Sequence, residues 1–255
     1  MKLTFIGNGN MAKSLIEGLI HSYEIEVWGR NSTSLQALQA QLPQITTKIL
    51  STQEDISQKH IVLCVKPYSL SDLAPKLCGE AQTLYSVLAG TSLESIQAQI
   101  SAKKYIRAMP NLGASHLKSM TTLTGDSTLQ ETAITLFDKI GRTLWLESEN
   151  ALDIATGLAG SGPAYLALIA EALADGAVHQ GLKRAEANTL VIGLFEGFAP
   201  LIAQQSPAVI KDAVMSPAGT TASGYKALER GNVRNAMMEA IEDAYSKAKE
   251  LKNKN

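Results

Sequence analysis

The 255 residues carry 23 Lys and Arg against 24 Asp and Glu, a net charge of −1, so no broad positive field is available to hold a nucleic-acid backbone or an anionic membrane surface. With 45% hydrophobic and 18% charged residues the chain has enough apolar mass for a substantial core, and its length suits one large or two modest domains. The only cysteines, Cys64 and Cys78, stand outside any C-x-x-C or Cys/His ligand spacing, which predicts a reduced, cytoplasmic protein without a structural metal; no basic leader and no run of about 18 apolar residues predicts export or anchoring.

Short apolar runs at 3–6, 25–28, 61–65, 84–88 and 105–108 read as strands, with helix patterns between several of them, among them 11–20 and 93–100. Parallel strands buried on both faces require continuous apolar runs of this kind, so the N-terminal half is expected to be an α/β Rossmann domain, a doubly wound, mainly parallel sheet. Runs at 120–124 and 143–146 flank a helix pattern at 129–140 and extend the same sheet in a direction that the pattern does not give. Beyond Asn150 every segment reads as helix: 151–158, 164–180, 184–204, 207–215, 220–230 and 233–251. The expected division is a Rossmann domain at 1–148 and an all-α domain at 149–255. The alanine-rich helix at 164–179 reads as an interior helix. Gly160-Ser161-Gly162-Pro163 reads as its start, with Ser161 as N-cap and Pro163 in the first turn, where a missing N–H costs nothing.

The first strand runs directly into Gly7-Asn8-Gly9-Asn10-Met11-Ala12 and then a helix, the place and spacing of a dinucleotide-binding turn. Gly7 permits the tight turn, Gly9 lets backbone approach a pyrophosphate, and Ala12 stands at the helix-to-strand contact. The helix N-terminus offers free N–H groups and about half a positive charge to the phosphates. At the end of the second strand, where NAD enzymes place an acid against the ribose, the chain has Arg30-Asn31-Ser32. An acid would repel a 2′-phosphate, whereas Arg30 can pair with it and Asn31 can add a hydrogen bond, which predicts NADPH over a weaker NADH; a solvated loop arginine is the alternative. Val65-Lys66-Pro67 and Ala89-Gly90 follow the next two strands at the edge where such sheets bind ligands. Lys66 is read equally as a cofactor or substrate contact and as a surface lysine.

These motifs, with Arg107-Ala108-Met109-Pro110-Asn111, Gly157-Leu158-Ala159-Gly160-Ser161-Gly162-Pro163-Ala164-Tyr165 and Ser216-Pro217-Ala218-Gly219-Thr220-Thr221, resemble in order the landmarks of 1-pyrroline-5-carboxylate reductases along the whole chain. Two positions depart: Leu112-Gly113 stands where the family has Thr-Pro, and Ala218-Gly219 where it has Gly-Gly. The resemblance implies reduction of 1-pyrroline-5-carboxylate to L-proline, the last step of proline biosynthesis. By residue chemistry, Ser216, Gly219, Thr220 and Thr221 precede and open a helix, where successive N–H groups form a nest for a carboxylate; a plain helix cap uses the same residues. The resemblance sets this loop against a proline-like ring, with Thr221 as the catalytic hydrogen-bond partner of the ring nitrogen.

Two rival functions stand beside this one. The nearer is a reductase of a different imine or a hydroxyacid dehydrogenase built on the same plan; a β-hydroxyacid dehydrogenase would carry a catalytic lysine on the helix after the glycine cluster, and residues 163–170 contain none. A non-enzymatic NADP-binding regulator would give the nest no carboxylate to accept. His21, His60, His116 and His179 share no motif, so little acid–base machinery is expected. The helical half is too thin to bury its apolar faces, which predicts a homodimer through the C-terminal helices, with further assembly open, and no nucleic-acid or membrane partner.

Overall fold

The computed structural model describes residues 1–252. They form two compact units: Met1–Ser161 with the chain from Ile241 on, and Gly162–Ala240.

The first unit contains strands β1 (Lys2–Ile6), β2 (Glu24–Gly29), β3 (Thr46–Ile49), β4 (Glu54–Asp55), β5 (His60–Leu63), β6 (Leu77–Cys78), β7 (Thr83–Ser86), β8 (Tyr105–Met109), β9 (Ser119–Gly125) and β10 (Gly141–Trp145). β4 and β6 pair with each other, and the rest form one 8-stranded sheet in the order β10-β9-β8-β7-β5-β1-β2-β3. All its neighbours are parallel except β8 and β9, so β9 and β10 run together against the others. That supplies the direction the sequence pattern left open. The run β3-β2-β1-β5-β7-β8 is the doubly wound order, and its reversal between β1 and β5 opens a ligand crevice at the carboxyl ends of those strands. β5 and β7 stop short of the expected 65 and 88, because the chain leaves the sheet to build that edge: Pro67–Ser69 forms a 3₁₀ turn, and Gly90 turns at φ +64.

Side chains alternate across the sheet. Leu3, Phe5, Ile25, Val27, Val62 and Tyr85 join one buried cluster, while Ile6, Trp28, Ile61, Leu63 and Leu84 join the other. Helices cover both faces: α1 (Asn10–Leu19), α2 (Ser32–Gln41), α3 (Leu70–Leu73), α4 (Leu93–Gln97), α5 (Gln130–Phe137) and α6 (Glu149–Ala155). Each fully buried Leu, Ile or Phe contributes about 1.5–3 kcal/mol, so this two-sided core holds the crevice rim rigid.

The helices then continue as α7 (Gly162–His179), α8 (Arg184–Gln204), α9 (Pro207–Val214), α10 (Thr220–Arg230) and α11 (Val233–Lys252), the last of which ends in the first unit. In the second unit α7 packs on α8. Its only buried hydrophobic residues are Ala174, Ala187 and Ile210. The interior reading of α7 is therefore corrected for the single chain: Leu166, Leu168 and Leu173 are exposed. Two stretches, Glu149–His179 and Arg184–Gln204, are long and apolar enough by length and composition to cross a membrane.

Candidate active site

Two glycines of the first turn are required for different reasons. Gly7 has φ +110, and a Cβ there would lie 2.5 Å from the Cys64 carbonyl oxygen, so β1 can pass this close to β5 only without a side chain. Its N–H donates to the Trp28 carbonyl at 2.8 Å, which ties the turn to β2. Gly9 caps α1 at φ −75 and ψ −177, a conformation open to any residue, and a Cβ there meets no protein atom within 4 Å. Among the described residues nothing fills that space, and no side chain caps α1. The N–H groups that open α1 point outward from a positive helix end, as a pyrophosphate requires.

Asn8 joins this turn to the end of β2: its Nδ2 donates to Ser34 Oγ at 2.9 Å, and Asn31 Oδ1 accepts from Ser34 N at 3.0 Å as the N-cap of α2. Gly7, Asn8, Gly9, Arg30, Val65 and Lys66 line one cavity of about 190 Å³, so the three separate stretches read from sequence meet around a single space. Burial raises the Cys64 thiol well above the ordinary range, so the thiol at this cavity is held neutral. Of the remaining predicted cofactor residues, Asn10 and Met11 form the first turn of α1, Ala12 is fully buried beneath it, and Asn31 is engaged in its cap. Pro67 begins the 3₁₀ turn beyond Lys66. Ala89 and Gly90 do not line this cavity; a Cβ on Gly90 would lie 2.5 Å from Leu251 Cβ, so that glycine admits the end of α11. The cavity wall also contains Ser69, Asp72 and Lys76, which sequence reasoning missed because no spacing rule links them to the glycine turn.

In the second unit, the loop between α9 and α10 gathers Ser216, Gly219, Thr220 and Thr221. Gly219 N donates to the Ser216 carbonyl at 3.0 Å, and a Cβ on Gly219 would displace the Ser216 hydroxyl from its present position and crowd the Ser216 carbonyl at 3.1 Å. Gly219 is the N-cap of α10, and no side chain caps that helix. Thr220 and Thr221 are exposed in its first turn. The hydroxyls are thus not used as the plain cap that was the alternative, and the helix end stays open to an anion. Ala218 sits at φ +60, strained for a residue with a Cβ, at the position where the resembling family has glycine.

A second motif serves structure. Arg107, 1% exposed, donates from Nη1 to Glu149 Oε1 at 2.8 Å and from Nη2 to Asp153 Oδ1 at 2.9 Å, fastening α6 to β8. Glu149 Oε1 also accepts from Leu93 N at 2.9 Å, closing the start of α4. Asn111 Nδ2 donates to the Ala159 carbonyl at 2.9 Å, an acceptor that a proline four residues later cannot serve. Ala159 lies in a π-helical turn, Thr156–Gly160, and Ser161 N donates to Thr156 O at 3.1 Å. Ser161 is therefore helical, not the N-cap expected from sequence: α6 passes into α7 through the π turn without a break. A cap signal and a π turn share the same small residues, so sequence alone does not separate them.

A doubly wound sheet whose switch point carries an uncapped glycine turn, a cationic cavity and a following helical unit defines the class of nicotinamide-nucleotide oxidoreductases. Residues 149–251 match the pyrroline-5-carboxylate reductase dimerisation family, and residues 2–90 match the family described as NADP oxidoreductase, coenzyme F420-dependent. Pyrroline-5-carboxylate reductases of Helicobacter pylori J99 and Glycine max are 31% and 35% identical to the chain, covering 96% and 98% of it and 98% and 95% of their own lengths. The solved 1-pyrroline-5-carboxylate reductase of Streptococcus pyogenes superimposes with a TM-score of 0.86 at 30% identity, covering 98% of each chain. The same fold recurs at 24% identity and TM-score 0.80 in the Plasmodium falciparum pyrroline carboxylate reductase solved with NADP bound, covering 99% of this chain and 100% of that one. The chain belongs to the pyrroline-5-carboxylate reductase family.

Proposed function

We propose that this chain reduces 1-pyrroline-5-carboxylate to L-proline with NADPH. The observation that carries the reading is the likeness to enzymes of that name across 96–98% of the chain, with the glycine turn and the α9–α10 loop inside the two stretches that match the family models. The domain at 1–148 binds the cofactor; the domain at 149–255 binds substrate and forms a homodimer through its helices. The cytoplasm is the expected compartment, and neither nucleic acid nor membrane is a partner.

The cofactor-binding roles fall on Gly7, Asn8, Gly9, Asn10, Met11, Ala12, Arg30, Asn31, Val65, Lys66, Pro67, Ala89 and Gly90. The turn and the N–H groups opening α1 hold the pyrophosphate, Arg30 faces the 2′-phosphate, and the edge after β5 and β7 bounds the remainder. When bound, NADPH supplies a hydride. Ser216, Gly219 and the N–H groups opening α10 hold the substrate carboxylate, and Thr220 adds a hydroxyl beside it. Thr221 hydrogen-bonds the ring nitrogen and orients it. In the protonated imine the ring carbon accepts the hydride, the C=N π pair becomes the nitrogen lone pair, and secondary amine and NADP⁺ result. The imine is already electrophilic, so orientation rather than strong acid–base catalysis is what the chain provides.

The test is NADPH consumption with 1-pyrroline-5-carboxylate, beside NADH and beside 1-pyrroline lacking the carboxylate. Carboxylate-dependent oxidation of NADPH is expected, with Thr221→Ala lowering turnover while NADPH affinity is kept. NADPH binding without turnover on either ring would refute the enzymatic reading, and unchanged turnover in Thr221→Ala would remove the role given to that side chain.

A further inference from the structure

We propose that Lys76 acts with Arg30 to hold the 2′-phosphate of NADPH, so that cofactor choice is written on two walls of the cavity rather than on β2 alone. The inference rests on the NADPH reading above and adds a specificity residue to it.

The cavity wall carries three cations, Arg30, Lys66 and Lys76, and one carboxylate, Asp72. Among the described residues none of these cations has an ion pair or hydrogen bond. Other lysines around β2 are already neutralised. Lys48 and Lys59 lie 4.8 and 5.4 Å from the Trp28 ring centroid, and they pair with Glu54 and with Glu26. The positive charge left over is therefore concentrated on the cavity, and a single carboxylate does not balance it.

Lys76 belongs to the Arg30 end of that space. Leu50 N donates to the Gly29 carbonyl at 2.9 Å, directly before Arg30 in the chain, and Leu50 lines the cavity together with Leu73. Leu50 and Leu73 pack in one cluster with Trp28, and Lys76 follows Leu73 by one short turn. Nor is Lys76 on a loose loop. It closes the 3₁₀ turn Ala74–Lys76, which contains Pro75, between the buried Leu70 and Leu73 of α3 and β6, paired to β4. Half-buried on a backbone fixed at both ends, its ammonium is offered to the cavity at a smaller ordering cost than a free surface lysine would incur. A dianionic phosphate on the ribose, beside the β2 end, is the group that two converging cations fit.

Calorimetric titration of the full chain with 2′,5′-ADP and with 5′-AMP, which differ only in the 2′-phosphate, separates this phosphate from the rest of the cofactor. Lys76→Ala should weaken 2′,5′-ADP about tenfold, the loss of one charge-assisted contact, while changing 5′-AMP by less than about twofold. Lys76→Arg should keep most of the discrimination. Lys103→Ala, which removes a positive charge outside the cavity, should change neither probe. Equal losses on both probes, or an unchanged 2′,5′-ADP affinity in Lys76→Ala, would overturn the assignment while wild-type NADPH binding left the cofactor reading standing. Failure of the wild type to bind NADPH or either nucleotide would remove both.

Discussion

Gly7 and Gly9 look alike in sequence, and the structure separates what each is for. Gly9→Ala places a methyl where no atom of the described residues lies within 4 Å, on backbone at φ −75 and ψ −177 that alanine adopts freely. Alanine is the poorer N-cap by up to about 1 kcal/mol, but it also has less freedom to lose on folding, worth about 0.4–1 kcal/mol, so stability without cofactor should change by less than about 1 kcal/mol. The methyl does intrude on the approach of a pyrophosphate to the start of α1. Losing one charged hydrogen bond there costs about 1.5–3 kcal/mol, roughly a ten- to hundredfold rise in Kd for NADPH. Gly7→Ala should behave in the opposite order. Its Cβ would sit 2.5 Å from the Cys64 carbonyl at φ +110, and the strain and clash together should cost about 3 kcal/mol or more before any ligand is added. Urea unfolding of the cofactor-free proteins and NADPH fluorescence titration measure both effects. A Gly9→Ala protein that binds NADPH like wild type, or a Gly7→Ala protein as stable as wild type, would refute the division of labour.

Arg107→Met should destabilise the protein by about 3–5 kcal/mol in urea unfolding at fixed protomer concentration, because Asp153, 4% exposed, is left buried without its cation; a loss under about 1 kcal/mol would show that the pair is dispensable. Ala218→Gly relieves φ +60 at the head of the α9–α10 loop and should raise stability by about 0.5–1 kcal/mol, read as an increase in Tm; a fall in Tm would mean that the alanine is not strained. The hydrogen bond from the Lys48 ammonium holds the Glu54 carboxyl below its ordinary value of 4.5, so the stability from that pair is present above the unfolded-state value and is lost as pH falls through the lower folded-state value. Glu54→Gln should flatten the acid limb of the stability–pH curve below about pH 4.5 and lower stability near neutrality; an unchanged acid limb would remove Glu54 from acid unfolding.

How much of this was legible in the sequence depended on what each position faces. β1, β2, β5, β7 and β8 read as apolar runs because both sheet faces are buried. β3 leaves no such run: it is an edge strand of sequence TTKI with no buried residue, and its single large apolar side chain, Ile49, is exposed. β9 and β10 were visible as runs, but their direction depends on the chain's route between them and not on which side chains are buried. In the candidate site, the glycine turn and Arg30 were legible because backbone geometry and charge sign each have a sequence signature. Asp72 and Lys76 were not, since a short helix and a 3₁₀ turn bring them to the cavity without a fixed spacing from Gly9. Arg107 was seen as part of a motif, but its burial and its partners 42 and 46 residues away depend on tertiary contact.

The helical unit shows where composition misleads. Its apolar residues read as core, yet Leu168, Leu190, Ile192 and Leu194 are between 56% and 62% exposed in the single chain. Lipid and protein can both cover such faces, and the helical stretches Glu149–His179 and Arg184–Gln204 are long and apolar enough to cross a membrane. The polar residues on the same helices favour protein. Glu171 lies at the middle of α7 and Glu196 near the middle of α8, both exposed, where a bilayer would exact the highest cost for a carboxylate. Asp175 and Arg184 form an exposed ion pair at 2.6 Å beside the groove that α7 and α8 share, which suits a surface met by water and protein. Apolar stripes broken by charges at mid-helix are what a protein interface tolerates and a lipid face does not. The match of residues 149–251 to a dimerisation family indicates homo-oligomerisation, and the proposed homodimer would cover these faces with a second copy of the chain, completing between subunits a core that one chain leaves open.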